Sequence, residues 1–119
     1  MGYGANASGN WSRALSNYST ASDVGSVALG YQSIASGVWA NSLGYFTTAL
    51  DRQTVIGHFN DTSLADSRGD YIGSNSGTAF VIGNGLSDSR SNAFRVRFDG
   101  VVYSKGAYNN SGADYAEYL

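Results

Sequence analysis

Gly2 opens the row GYGANASGNWSRAL, and the rows SNYSTASDVGSVAL (from Ser16), GYQSIASGVWANSL (from Gly30) and GYFTTALDRQTVI (from Gly44) follow it. The period is 14 residues, and the fourth row is one residue short. A fixed short period indicates one supersecondary unit stacked on itself. Because 14 residues are too few for a helical hairpin, we predict a β-solenoid whose coils each hold two short strands and two tight turns.

Two columns of the repeat keep their chemistry in all four rows. The sixth position is always alanine and the last is leucine or isoleucine: Ala7, Ala21, Ala35, Ala49, Leu15, Leu29, Leu43 and Ile56. Side chains alternate across a strand, so Leu29 and Ala28 point to opposite faces. We predict that both columns belong to the core ladder, and that the leucine column stacks coil on coil as a buried apolar ladder. The small column of Ala14, Ala28 and Ser42 would let the opposite face approach another surface closely.

Composition narrows the classes of function. Only 13% of the 119 residues are charged and the formal net charge is −2, which leaves no basic stripe for nucleic-acid phosphates. The chain contains no run of about 18 apolar residues, which a membrane span would require. No signal peptide is visible either. The absence of cysteine excludes disulfides and thiolate metal sites. We therefore expect no nucleic-acid partner and no membrane insertion, and a hydroxyl- and amide-rich surface that suits an extracellular or virion-exposed fibre.

The repeat is lost after Gly57, which divides the chain into four parts. These are the β-roll (1–57), a polar connector (58–77), a strand and hairpin module (78–111) and a short tail (112–119). In the third part, Asp99-Gly100 predicts a two-residue type I′ turn that pairs Val96 with Tyr103. A short stack of coils and a lone hairpin have open edges and thin cores, so we expect them to need partners.

Ser26-Val27-Ala28-Leu29-Gly30 and Ala35-Ser36-Gly37 are the best copies of a recognisable signature, and Ala40-Asn41-Ser42-Leu43-Gly44 is a looser one. The signature resembles the head repeats of trimeric autotransporter adhesins and related modules of phage tail fibres. The resemblance covers roughly the first half of the chain. It implies a left-handed parallel β-roll that associates as an intertwined homotrimer about a common axis.

The second half carries a separate resemblance. The strings QTVIG (from Gln53), AFVIGNG (from Ala79) and SNAF (from Ser91) resemble tail-fibre and neck-appendage proteins of phages and prophages. In those proteins G-A-D-Y-A-E-Y marks the start of an intramolecular chaperone that cuts itself off after the trimer has folded. Here that string begins at Gly112. The resemblance implies an auto-processing region at Ser111, Gly112, Ala113 and Asp114.

Together the resemblances imply a structural and adhesive protein that is not an enzyme and needs no cofactor. It would be a trimeric tail-fibre segment in the virion, in contact with other virion proteins and with a glycan or protein receptor on the bacterial surface. A bacterial trimeric adhesin head on the cell surface is one alternative. Others are a fragment of a self-cleaving precursor, a glycan depolymerase and an ice-binding solenoid. The ice-binding alternative lacks a regular threonine column, since the fifth position reads Asn6, Thr20, Ile34 and Thr48.

Aromatic residues recur at fixed positions of the repeat. Trp11 and Trp39 share one column, and Tyr3, Tyr31 and Tyr45 share another. Flat aromatic faces at regular spacing suit stacking on sugar rings, so these five are the candidate glycan contacts. The alternative is packing of the rings against each other or between subunits, because Tyr and Trp are enriched at interfaces.

Polar candidates for chemistry are weaker. His58 is the single histidine, and no serine has a recognisable nucleophile context, so we favour a structural role over a catalytic triad. Asp61, Asp66 and Asp70 lie in an oxygen-rich segment but lack the ligand spacing of calcium loops, so we predict no metal site. Asp51 and Asp66 form a glycosidase pair only if their separation is assumed.

Overall fold

The computed structural model describes residues 2–63 and 77–104. Their strands are β1 (Asn6–Ala7), β2 (Arg13–Leu15), β3 (Thr20–Ala21), β4 (Val27–Leu29), β5 (Ile34–Ala35), β6 (Asn41–Tyr45), β7 (Thr48–Ala49), β8 (Thr54–His58), β9 (Thr78–Asn84), β10 (Asn92–Arg97) and β11 (Val102–Ser104). These residues contain no helix, and so none suited to crossing a membrane. The predicted all-β class is confirmed.

The strands of the repeat alternate between two sheets. The smaller sheet has the order β1-β3-β5-β7, and the larger sheet begins with β2-β4-β6-β8. All these neighbours are parallel, and Leu15, Leu29, Leu43 and Ile56 pair in succession. Each coil thus gives one strand to each sheet, with turns at its two opposite edges. The parallel β-solenoid predicted from the period is confirmed, with about four coils.

Turns recur about every seven residues, so each coil consists of two half-coils. In a typical turn the first carbonyl accepts the fourth N–H, as Asp23 does from Ser26. The Ser26 hydroxyl also donates to that carbonyl, at 2.7 Å, from inside the coil. The third residue of each turn has a positive φ: Gly4, Trp11, Tyr18, Gly25, Gln32, Trp39, Phe46, Arg52 and Phe59. This pattern is typical of a type II turn, whose third position favours glycine.

We expect Gln32→Gly to stabilise the fold. Gln32 has a φ of 51°, and a side chain in this left-handed region is opposed by contact between Cβ and the backbone, which costs about 1 kcal/mol. Glycine removes that contact, and the greater freedom of the unfolded chain offsets part of the gain. Urea denaturation should show a free energy of unfolding higher by about 0.5 kcal/mol. Ser22→Gly, in an exposed position outside the positive-φ set, should lower it instead. A loss of stability in both variants would contradict the turn assignment.

Small side chains fill the inside of the coil. In the smaller sheet the buried side chains include Ala21, Ala35 and Ala49, whereas Ala7 in the first strand is exposed. They face Ala14, Ala28, Ser42 and Val55 of the larger sheet, which are also buried. The largest completely buried side chains are Gln53, Val55 and Val81. The coil therefore has a thin interior with little apolar volume.

The leucine column lies outside the coil. Leu15 is 44% exposed and Leu29 is 36% exposed, whereas Ala28 between the sheets is completely buried. The prediction that the leucines form the buried ladder of the coil is therefore wrong for the single chain. The leucine column and the column of Ala14, Ala28 and Ser42 exchange their predicted faces. The physical reason is that in the first three coils the interior is filled mainly by alanine and serine, which leaves no space for a column of leucines. Strand alternation then puts the leucines on the outer face.

The larger sheet continues beyond the repeat. Strand β9 pairs in parallel with β8, and β10 and β11 then add in antiparallel order. Ile82 lies opposite Ile56, and Phe94 lies opposite Ile82. The outward column is therefore continuous across six strands. We call it the outer ladder: Leu15, Leu29, Leu43, Ile56, Ile82 and Phe94.

The hairpin of β10 and β11 differs from its prediction. Val96 pairs with Val102 and not with Tyr103. The turn is closed by the N–H of Gly100, which donates to the carbonyl of Arg97, and Gly100 has a φ of 89°. This is a three-residue loop in which a left-handed glycine follows a type I turn. The predicted two-residue turn is wrong, and the one-residue shift moves Tyr103 to the other face of the sheet.

A side chain closes the end of the smaller sheet. Asn60 is 1% exposed; its Oδ1 accepts from the N–H of Thr48 at 2.8 Å, and its Nδ2 donates to the Thr48 carbonyl at 2.9 Å. The amide thereby takes the place of a neighbouring strand beside β7. Asn92 makes the same pair of bonds to the backbone of Asp61. The edge at Thr48 is thus satisfied within the chain, which removes a site for unwanted strand pairing.

Candidate functional site

Aromatic side chains occupy the turns that lead from the larger sheet into the smaller one. They stand at the second or third position of these turns, as Tyr31 and Tyr18 do respectively. We call this set the ring row: Tyr3, Tyr18, Tyr31, Tyr45, Phe46 and Phe59. Because each coil rises by about 4.8 Å, the turns bring one or two rings per coil to the same edge of the solenoid.

The rings contact each other along the whole row. The centroids of Tyr3 and Tyr18 are 5.6 Å apart, and those of Tyr18 and Tyr31 are 5.9 Å apart, both edge to face. Tyr31 and Tyr45 stack at 5.7 Å with an interplanar angle of 20°. Such pairs stabilise a structure by about 0.5–1.5 kcal/mol each. The four tyrosines nevertheless remain between 40% and 75% exposed, so the row is both ordered and open to solvent.

An arginine stands at the far end of the ring row. Phe46 and Phe59 stack at 4.8 Å, and the Arg90 guanidinium lies 5.5 Å from the Phe59 ring centroid. Its Nη1 donates to the carbonyls of Phe46 at 3.0 Å and Asn60 at 3.3 Å. Within residues 2–63 and 77–104, Arg90 has no carboxylate partner. Backbone bonds and a ring thus hold an exposed positive charge in a fixed place.

Arg90 also lines a cleft of about 290 Å³ beside the hairpin of β10 and β11. The other lining residues are Asp61, Ser91, Asn92, Phe94, Arg95, Tyr103 and Ser104. The Arg95 guanidinium lies 3.9 Å from the Tyr103 ring centroid. Asp61 uses Oδ1 to accept from the N–H and the hydroxyl of Ser63. The cleft is therefore lined by two guanidinium groups and one carboxylate, and all three have hydrogen-bond partners.

The tryptophans lie on the opposite edge, in the turns that lead from the smaller sheet into the larger one. Trp11 is 76% exposed and Trp39 is 52% exposed. The Trp39 ring covers Gly25 of the preceding coil so closely that a Cβ there would overlap the ring. The five predicted glycan contacts are therefore divided: Tyr3, Tyr31 and Tyr45 share one edge, and Trp11 and Trp39 share the other.

Sequence reasoning missed Tyr18, Phe46, Phe59 and Arg90. The search for a column of identical positions excluded the first three, because they stand one position later than Tyr31 and Tyr45. The signal was present: Asn17-Tyr18 and Tyr31-Gln32 each place one ring among the two central residues of the turn. Arg90 lies outside the repeat, so no periodic pattern pointed to it.

The polar candidates have structural partners. His58 donates from Nδ1 to the Gly85 carbonyl at 2.8 Å, which ties the end of β8 to the loop after β9. Asp51 accepts from the Val38 N–H in the preceding coil at 3.1 Å. In the part of the chain described, no three acidic or histidine side chains cluster as metal ligands. Other predicted residues lie outside the described residues: Asp66, Asp70, Ser111, Gly112, Ala113 and Asp114.

Comparison with known proteins gives no match to a protein family, to a curated protein or to a solved structure. The function must therefore be argued from the surfaces of this chain.

Proposed function

We propose that the chain is a structural and adhesive segment of a homotrimeric fibre of the phage or prophage tail-fibre type, which attaches the virion to a bacterial surface. The observation that carries the proposal is the outer ladder, a continuous apolar column on the outside of a solenoid whose inside is filled by alanine and serine. In this proposal the roll is left-handed, the three chains intertwine, and the protein works by geometry without turnover.

The distribution of apolar side chains supports assembly. A solenoid with so small an interior gains little hydrophobic stabilisation from its own core. The outer ladder leaves side chains such as Leu15 and Leu29 at least a third exposed on a regular sheet face. Burial of apolar area stabilises by roughly 25 cal/mol per Å². Burying the ladder against copies of itself would therefore supply the core that the single chain lacks.

The resemblance of the repeat to trimeric adhesin heads supports an assembly of three chains. Three identical sheets arranged about one axis bring their outer ladders together and leave the turns of every coil pointing away. The edges of the solenoid then face the solvent, where they are free to contact a receptor. Threefold repetition of each contact converts weak single contacts into avidity.

Light scattering after size exclusion tests the assembly. The native mass should be three times the 12.5 kDa of one chain. Leu29→Asp should reduce the mass to that of a monomer, because it would place three short charged side chains in the apolar core of the trimer. Circular dichroism should accompany the measurement, since the released chain is expected to lose part of its strand signal.

Ile34→Asp is the matched control. Ile34 is 40% exposed against 36% for Leu29, but it lies on the outer face of the smaller sheet. This variant should keep the trimer mass. A well-folded wild-type monomer would overturn the proposal, and so would a trimer that dissociates in the Ile34 variant and persists in the Leu29 variant.

A further inference from the structure

The ring row presents the same kind of surface once in each coil. Tyr18, Tyr31 and Tyr45 are partly exposed, and each carries an aromatic ring and a hydroxyl group. Neighbouring ring centroids along the row are 5.5–5.9 Å apart from one coil to the next. A surface that repeats along an axis fits a ligand that also repeats, because each unit of the ligand then finds an equivalent contact. Aromatic faces flanked by hydroxyl groups suit the apolar faces and hydroxyl groups of sugar rings.

Arg90 places a positive charge at one end of this surface. The guanidinium is fixed at the end of the row by the carbonyls of Phe46 and Asn60 and by the Phe59 ring. Nη1 makes both of these bonds, and Arg90 has no carboxylate partner among the described residues. Arginine is the side chain best suited to planar, two-bond recognition of carboxylate or phosphate. Because the whole chain has a formal net charge of −2, this is a local preference and not a general attraction for anions.

We infer that the ring-row edge and Arg90 bind an extended anionic glycan. Its sugar rings lie along Tyr18, Tyr31 and Tyr45, and one carboxylate or phosphate group reaches Arg90 at the mouth of the cleft. The Asp61 carboxylate also lines that cleft, and its Oδ1 accepts from the Ser63 hydroxyl. The inference rests on the proposed attachment function and names the class of its ligand. The tryptophan edge has no part in it.

Calorimetry on the full chain tests the inference with three oligosaccharides of equal length. The probes are an oligogalacturonate, a phosphorylated mannan oligomer and a neutral β-glucan oligomer. The wild-type chain should bind at least one of the anionic probes about tenfold more tightly than the neutral one. The comparison of the first two probes distinguishes a sugar carboxylate from a sugar phosphate. Raising the salt concentration should weaken the preference, since Arg90 is exposed.

Four variants assign the contacts. Arg90→Gln should remove the anionic preference, so that anionic and neutral probes bind with similar affinity, and Arg90→Lys should restore part of the preference. Tyr31→Ser should weaken binding of every probe by about fivefold or more. Trp39→Ser, on the opposite edge, should bind like the wild type. Thermal unfolding of each variant shows whether a loss of binding reflects a loss of fold.

Three results would overturn the inference. One is a wild-type chain that binds none of the probes, and another is an Arg90→Gln variant that keeps the anionic preference. The third is a Tyr31→Ser variant that dissociates the native oligomer and leaves glycan binding intact, which would make the ring row a subunit contact. Light scattering on the same samples separates this question from the assembly. A trimer without glycan binding contradicts only this inference, whereas a monomer that binds contradicts only the fibre proposal.

Discussion

Gly57→Ala is expected to destabilise the chain by about 3 kcal/mol or more. Gly57 lies in β8 directly opposite Gly83 in β9, and its φ is 98°. A Cβ at this position would overlap the carbonyl oxygen of Gly83. The oxygen belongs to the backbone of a paired strand, so it has little freedom to move. The substitution therefore combines an unfavourable φ with a steric overlap at the junction of the solenoid and the terminal strands, and thermal unfolding followed by circular dichroism should show a large drop in Tm.

Gly100→Ala separates the cost of the unfavourable φ from the cost of the steric overlap. Gly100 has a similar φ of 89°, but a Cβ there would meet nothing within 4 Å. Only the backbone term applies, and the expected loss is about 1 kcal/mol. If the two alanine variants lose the same stability, the overlap with Gly83 is not present in the folded chain.

Asn60→Ala should have the second largest effect, a loss of about 2–3 kcal/mol in the free energy of unfolding. The substitution removes both bonds to Thr48, and it leaves the N–H and the carbonyl of that residue without partners beside a buried site. The smaller sheet would then end in an open edge. Urea denaturation measures the loss. Increased aggregation of the folded chain is a second expected sign, since open strand edges pair with other chains.

Two further asparagine variants sharpen this test. Asn60→Asp keeps an acceptor for the Thr48 N–H but puts a second acceptor against the Thr48 carbonyl, so it should not restore stability. Asn84→Ala changes an exposed asparagine at the end of β9 and should alter the free energy of unfolding by less than about 0.5 kcal/mol. Equal effects at positions 60 and 84 would contradict the role of Asn60 as an edge cap.

The architecture was largely predictable because the repeat translates directly into strand pairing. Residues one period apart become neighbours in parallel strands, so the columns headed by Leu15 and Ala7 are columns of the real sheets. The deletion in the fourth row does not disturb this, because Leu43 still pairs with Ile56 and the lost residue is taken up outside the strands. Periodicity thus predicted the class, the direction of the strands and their register.

The orientation of the columns was not predictable from alternation alone. Alternation shows that Ala28 and Leu29 point in opposite directions, but not which of them points inward. The usual preference for leucine in the core fails here because the coil is too thin for it. The alanine at the sixth position was the relevant signal, since a completely buried position such as Ala21 or Ala35 that admits only alanine indicates closely spaced sheets.

The loop length of the hairpin and the contacts of the ring row could not be predicted from the local sequence, for different reasons. Asp99-Gly100 is compatible with two loop lengths, and the pairing of β10 with both neighbours selects the longer one. The ring row depends on side chains that alternate between two turn positions, and only the folded turn brings Tyr18 beside Tyr31. Arg90 reaches Phe46 across 44 residues of sequence, a contact that no pattern within the repeat contains.

The alternation of half-coils between two sheets restricts how such a chain can change in length during evolution. Inserting seven residues would transfer every later strand to the other sheet, so the leucines on the two sides of the insertion would no longer share a face. Inserting 14 residues keeps them aligned and lengthens the rod by about 4.8 Å. We therefore expect such a chain to tolerate insertions and deletions of whole 14-residue repeats, so that the length of the solenoid changes in steps of one coil.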